Sequence, residues 1–199
     1  MRKFSGLIML FLAAPAFGQT APAAPPAATV GHSVDLNSKL INIPDSNWSV
    51  YGTDQTSVRN EKGGPQGYPA IRVTVTRAGK DAWDDGAVSI VPKPVAAGDV
   101  ILVAMHLRAP TLADGQSLEL PLIGATGAAP PYPGVAQAPV RLTNQWKLYF
   151  AAGTASQAFA ANGIQATLHL GGAAQVIELG PVRVYDLGPG FDLKRLPHN

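Results

Sequence analysis

The side chains best suited to chemistry in this chain are few and widely spaced. Asp81, Asp84 and Asp85 cluster around Trp83, and paired carboxylates hydrolyse glycosidic bonds when they flank the scissile bond. All three fall within one short loop, which does not set two carboxylates on opposite sides of a substrate. The four histidines, His32, His106, His169 and His198, share no short spacing. Only His106 and His169 are placed to meet across strands, and two imidazoles without a third ligand make a poor zinc site. There is no cysteine, no Gly-rich phosphate loop and no Gly-x-Ser-x-Gly elbow. Gly63-Gly64 precedes Pro65 between strands and reads as a turn.

The elements that must position these residues are short strands. From about Val34 onward, runs of β-branched and aromatic residues alternate with Gly, Pro, Asn and Asp, the pattern of an all-β sandwich. Strands are predicted over 68–76, 100–109, 145–151, 163–170 and 175–185, with shorter ones over 48–52, 87–91 and 117–123. Period-2 alternation assigns their faces. Ile71, Val73 and Val75 point one way, with Arg72, Thr74 and Thr76 opposite. Ile101, Val103, Met105 and Leu107 share a face, leaving Leu102, Ala104, His106 and Arg108 on the other. Ile164, Ala166, Leu168 and Leu170 oppose Gln165, Thr167 and His169. Each of these strands therefore has an apolar face and a mixed face, so a two-sheet antiparallel sandwich with a gently curved outer face open to a ligand is predicted. The Ala-rich window 151–161 has no apolar stripe and reads as a loop.

Composition agrees with many turns and strands. Gly and Pro number 21 and 18 among 199 residues and only 14% are charged, which disfavours a helical bundle or coiled coil. The chain opens with Arg2 and Lys3, an apolar run from Gly6 and small residues at Ala16-Phe-Gly18, the form of a secretory signal peptide over 1–18. Pro15 ends the run before it reaches bilayer-spanning length. Residues 19–33 form an Ala/Pro-rich tether, residues 34–187 the sandwich and residues 188–199 a C-terminal tail. Removing the signal peptide takes away Arg2 and Lys3 and leaves a formally neutral chain, without the basic stripe that tracks phosphates. The expectation is a periplasmic or secreted protein that binds no nucleic acid and, after cleavage, no membrane. Lacking disulfides in an oxidising compartment, it must be stable through its core alone.

Seven segments in order carry a resemblance: Asn47-Trp-Ser-Val-Tyr-Gly52, Tyr68-Pro-Ala-Ile-Arg-Val73, Asp81-Ala-Trp-Asp84, Ala97-Gly-Asp-Val100, Met105-His-Leu-Arg-Ala109, Leu142-Thr-Asn-Gln-Trp146 and Ile177-Glu-Leu-Gly-Pro-Val-Arg-Val184. Together they resemble carbohydrate-binding modules of the galactose-binding-like jelly-roll type, which occur beside xylanases and other glycan hydrolases. The resemblance implies a jelly-roll β-sandwich and a non-catalytic role in binding a neutral polysaccharide or oligosaccharide, with a glycan-degrading enzyme as a further partner. Two departures stand out. The usual final Asp-Asp-Val reads Gly180-Pro181-Val182, which weighs against the structural calcium common among such modules; that calcium stays open, its ligands unknown, and no other cofactor is expected. The tryptophan often found before the Arg of the central strand is His106. Residues 188–197 look like the exit segment that leads into an enzyme in multidomain relatives.

A glycan site needs flat aromatic surfaces flanked by polar groups. Trp83 matches a tryptophan that stacks on sugar in the modules it resembles, although a rim residue capping the core is an alternative reading. Tyr51 faces outward if Trp48 faces inward. His106, Arg108 and His169 are expected to line one groove, with a structural ion pair as the alternative for Arg108. Tyr132, in the rigid Ala128-Ala-Pro-Pro-Tyr-Pro-Gly134 loop, closes one end. Trp146, Phe150, Phe159 and Tyr185 read as packing residues, and Glu178 as a strand-edge charge. The ligand-binding set is thus Tyr51, Trp83, His106, Arg108, Tyr132 and His169, with no catalytic residue. The rival readings are an accessory glycoside hydrolase or esterase using the aspartates, and a structural or protein-interaction sandwich without sugar affinity.

Overall fold

A computed structural model describes residues 35–199; the expected signal peptide and tether lie outside the described residues. Ten strands build two five-stranded antiparallel sheets. The front sheet has the order β1 (Ser49–Tyr51), β4 (Gly86–Val91), β9 (Ile164–His169), β6 (Leu118–Gly127) and β7 (Gly134–Leu142). The back sheet has the order β2 (Gln55–Asn60), β3 (Ala70–Val75), β10 (Gln175–Pro189), β5 (Asp99–Arg108) and β8 (Lys147–Thr154). Strands β3 to β10 form the eight-stranded jelly roll expected, and β1 and β2 extend one edge of each sheet. Among the described residues no helix is long and apolar enough to cross a membrane.

Alternation explains the core. Val73, Val75, Ile101, Val103, Met105, Leu107, Ile164, Ala166 and Leu168 all bury between the sheets, as their period-2 placement requires. Trp48 turns inward and its indole N–H donates to the Gly180 carbonyl at 2.9 Å, giving a buried aromatic its polar partner.

Four features depart from the sequence expectation. Strand β2 was not expected because Gln55-Thr-Ser-Val-Arg-Asn60 is a largely exposed edge strand, held by pairing to β3 rather than by an apolar face. Strand β7 carries Pro139, which an edge position tolerates because no ladder bond is needed on its outer side. The Ala-rich window does not begin as a loop: β8 runs on to Thr154. Its small residues serve close packing, since a Cβ on Gly153 would lie only 3.0 Å from the Ala136 Cα and closer still to the Val135 carbonyl. Finally, the outer face of the back sheet is not uniformly open. Val100, Leu102, Ala104, Tyr185, Leu187 and Leu196 form a second buried cluster there, with Leu40, Phe150 and Phe191 packed against it. Residues 188–199, expected as a tail, therefore fold back as part of the domain.

Candidate functional site

The outward residues of the front sheet form a groove of about 590 Å³. Its floor follows the cross-strand register: Val88 lies opposite Thr167, Thr167 opposite Gly124, and Gly124 opposite Gln137. The next row adds Gln165 and Thr126. Small residues keep this floor low, and their neighbours Ala87, Ala125, Ala136 and Ala166 point the other way into the core.

Tyr51, Trp83 and His169 form one wall. Tyr51 ends β1 directly opposite Gly86, and its ring lies across that glycine: a Cβ there would come within 2.5 Å of the ring Cζ and 2.6 Å of the Leu168 carbonyl. Burial pushes the Tyr51 phenol up, and Asp85 and then Tyr132 add to the shift. Trp83, 58% exposed, projects from the β3–β4 loop. Its ring meets the His169 imidazole edge-on, with centroids 6.1 Å apart and planes at 68°. Burial lowers the His169 pKa, so the imidazole is neutral at pH 7.

Two of the aspartates around Trp83, Asp84 and Asp85, hold the local backbone in place. Asp84 Oδ2 accepts the Asp81 amide at 2.9 Å. Asp85 is 1% exposed, and its Oδ1 accepts the Asp54 amide at 3.2 Å. The Asp85 carbonyl accepts the Leu170 and Gly171 amides, while the Ala82 carbonyl accepts Gly171 as well. Asp85 thus ties together the β1–β2 turn behind Tyr51, the loop bearing Trp83 and the turn after His169. Gly52 permits this approach: its φ of +115° suits glycine, and any Cβ would meet Asp84 O and Asp85 Cα at 2.7 Å.

The opposite wall is the β6–β7 loop. Pro131 and Tyr132 line it beside Gln137. The Pro130–Pro131 bond is cis and Tyr132 has a φ of 53°, a left-handed backbone that a bulky residue adopts only when its surroundings fix it. Here the Tyr132 amide donates to the Ala129 carbonyl and the Gly127 amide to that of Pro133, both at 2.8 Å.

The structure therefore brings together Tyr51, Trp83, Tyr132 and His169. It does not bring His106 and Arg108 to them, which corrects the expectation of one shared groove. Both lie on β5 in the back sheet, whereas His169 lies on β9 in the front sheet, and their outward faces are on opposite sides of the sandwich. Arg108 instead takes its ion-pair role, donating from Nε to Glu178 Oε2 at 2.5 Å. Glu178 is not an edge charge but sits on the central β10, 5% exposed. Trp146 is only partly buried and stacks against Arg108 rather than entering the core. Sequence reasoning did not single out Gln165, Thr167, Thr126 or Gln137. The first two share the outward set with His169, so alternation pointed to them; Gln137 lay in a strand that was not foreseen.

No protein-family model matches the chain, and no curated protein matches it. Solved structures do. The second N-terminal cellulose-binding domain of Cellulomonas fimi β-1,4-glucanase C is 20% identical, covers 76% of this chain and 97% of its own, and superposes with a TM-score of 0.56. The CBM22-1 xylan-binding domain from Paenibacillus barcinonensis Xyn10C is 14% identical over 76% of this chain and 94% of its own, with a TM-score of 0.52. A CBM4 module is 16% identical over 70% and 86%, with a TM-score of 0.51. The fold is that of carbohydrate-binding modules.

The structural calcium implied by the sequence resemblance does not fit the residues at Gly180-Pro181-Val182. The segment has no carboxylate, and two of its three carbonyls accept other donors: Gly180 O the Trp48 indole and Val182 O Asn42 Nδ2 at 3.1 Å. Among the described residues no group of three or more His, Asp or Glu side chains could hold a metal ion.

Proposed function

We propose that the front groove binds a neutral polysaccharide or oligosaccharide without catalysis. The observation that carries this reading is the character of the groove: aromatic walls over a hydroxyl- and amide-bearing floor, and not one Asp, Glu, Lys or Arg among its lining residues. Sugar rings offer apolar C–H faces to Trp83, Tyr51 and Tyr132, while Gln137, Gln165, Thr126 and Thr167 supply donors and acceptors for hydroxyls. A largely preformed wall keeps the ordering cost of binding low. The fold shared with cellulose- and xylan-binding domains supports a cell-wall polysaccharide as ligand. On this reading the protein is exported through the sequence at residues 1–18 to the periplasm or beyond. There it holds polymer at a surface or near a glycan-degrading enzyme, which raises the local substrate concentration.

Affinity electrophoresis in gels containing xylan, β-glucan or mannan tests this. The protein is retarded by at least one of them, and Trp83→Ala weakens binding about tenfold or more, the loss usual for an aromatic anchor. If none of the three neutral polymers retards the protein, the reading fails and an interaction domain without sugar affinity takes its place.

A further inference from the structure

The back sheet carries, on its outer face, a row of side chains that the groove does not use. Cross-strand register sets Val58 on β2, Arg72 on β3, Glu178 on β10 and Arg108 on β5 side by side. Trp146, just before β8, closes the row, with the Arg108 guanidinium carbon 4.9 Å from its ring centroid. The second apolar cluster covers a different part of this sheet, and the row is open to solvent at one end, where Val58 is 66% exposed and the Arg72 side chain 54%, while Arg108 is partly covered.

Glu178 is surrounded. Its Oε1 accepts Nε and Nη2 of Arg72 at 2.9 and 2.6 Å, and its Oε2 accepts Nε of Arg108. Those bonds leave the Nη1 group of Arg72 and both terminal nitrogens of Arg108 without a carboxylate partner. Arg183 lies on the same face, paired in register with Ala104, and acts electrostatically on His106 next to the row. Two arginines thus share one glutamate, with Arg183 further along the same face.

Stability alone does not account for this arrangement. Removing Glu178 from water offsets most of what its ion pairs contribute, and apolar residues of similar volume would hold the sheet as well. What the triad provides is two guanidinium planes fixed in position, one by a buried carboxylate and the other by that carboxylate and an indole, with unused N–H donors. Such donors match carboxylates in planar, two-point fashion and have little freedom left to lose on binding. Arg72 and Arg108 are two strands apart, about 9–10 Å at the usual strand spacing. That spacing is between backbones; the guanidinium groups converge on Glu178, which takes the inner donors of both. A ligand meets only their remaining outward N–H groups, and a polymer with carboxylates repeated along its length can meet those of both arginines.

We propose that the row Val58–Arg72–Glu178–Arg108–Trp146 is a second ligand surface, on the opposite side of the sandwich from the groove, that binds a carboxylate-bearing glycan of the polyuronate type. It draws nothing from the groove, so either site can fail without the other. Nucleic acid is the poorer match, because the positive charge is local and does not extend into a stripe that would follow a phosphate backbone.

Affinity electrophoresis at low ionic strength in gels containing polygalacturonate, dextran sulfate or single-stranded DNA tests the assignment. Polygalacturonate retards the wild type, and added salt reduces the effect. Arg72→Gln, which leaves Glu178 paired with Arg108, weakens it roughly five- to tenfold, the loss of one charge-assisted partner. Val58→Glu does the same by setting a repelling carboxylate beside Arg72 without removing any contact, and it decides the matter if Arg72→Gln melts early. Trp83→Ala leaves retardation by polygalacturonate unchanged. The proposal is overturned if polygalacturonate does not retard the wild type, or if Val58→Glu is retarded as strongly as wild type. Equal or stronger retardation by dextran sulfate or DNA also overturns it, by showing general attraction to polyanions.

Discussion

Replacing Asp85 by alanine separates the groove's floor from the loop architecture that holds its aromatic wall. Asp85 is almost wholly buried and accepts the Asp54 amide, and Gly52 packs directly against it. Alanine deletes that acceptor while the backbone bonds from the Asp85 carbonyl to Leu170 and Gly171 persist. A buried amide left without its partner costs about 1–3 kcal/mol, and each kcal/mol lowers Tm by about 2–4 °C in a domain of this size. The same free energy bears on Tyr51, one residue before Gly52. If the released turn keeps Tyr51 in place for only about a tenth of the time, apparent affinity for the glycan falls tenfold, which corresponds to about 1.4 kcal/mol. Asp85→Ala is therefore expected to weaken binding about three- to tenfold in titration calorimetry. Asp85→Asn keeps Oδ1 as an acceptor and stays near wild type. Wild-type affinity in Asp85→Ala despite a lowered Tm would refute the idea that this side chain positions Tyr51. Equal weakening in both variants would assign the effect to charge instead of the hydrogen bond.

Burial holds both His106 and His169 below the usual imidazole pKa, Arg183 adding to the effect at His106. The unfolded chain takes up these protons near pH 6.5 and the folded chain only at lower pH, so their contribution to stability is full above about pH 7 and declines as pH falls through 6. Glycan affinity falls over the same acid range because only His169 lines the groove; His169→Gln flattens the affinity profile, while His106 keeps part of the slope in thermal melts. At the other side of the core, Trp48→Phe deprives the Gly180 carbonyl of its buried donor. It lowers stability by about 1–3 kcal/mol in denaturant unfolding and leaves glycan affinity unchanged.

Alternation in the sequence located strands and their faces because one face of each is buried almost completely, as Ile101 to Leu107 and Ile164 to Leu168 show. It could not say which sheet a strand joins. That is why His106 and His169, both outward, were expected together and lie on opposite sides. Edge strands were the hardest to read: β2 has no apolar face, and β7 is broken by Pro139. Aromatic residues in polar loops, Trp83 and Tyr132, were legible as candidates from residue type alone. The groove's amides were not, since Gln137 and Gln165 differ from ordinary surface glutamines only in what the fold sets beside them. Glu178 was misread for a similar reason: a lone acid between apolar neighbours resembles an edge charge until Arg72 and Arg108 are known to flank it.

The first and last segments of the described domain both settle on the back sheet. Leu40 bridges to Tyr185, and the Asn199 side chain exchanges hydrogen bonds with the Phe150 backbone at 2.8 Å in each direction. A bead, fluorophore or chip surface coupled through Asn199 would consequently sit at the outer edge of β8, beside Pro139 and Arg141 of β7, away from the Trp83 wall of the groove. Immobilised and free protein should thus behave alike toward neutral polymers, because the aromatic wall of Tyr51 and Trp83 belongs to the other edge of the front sheet.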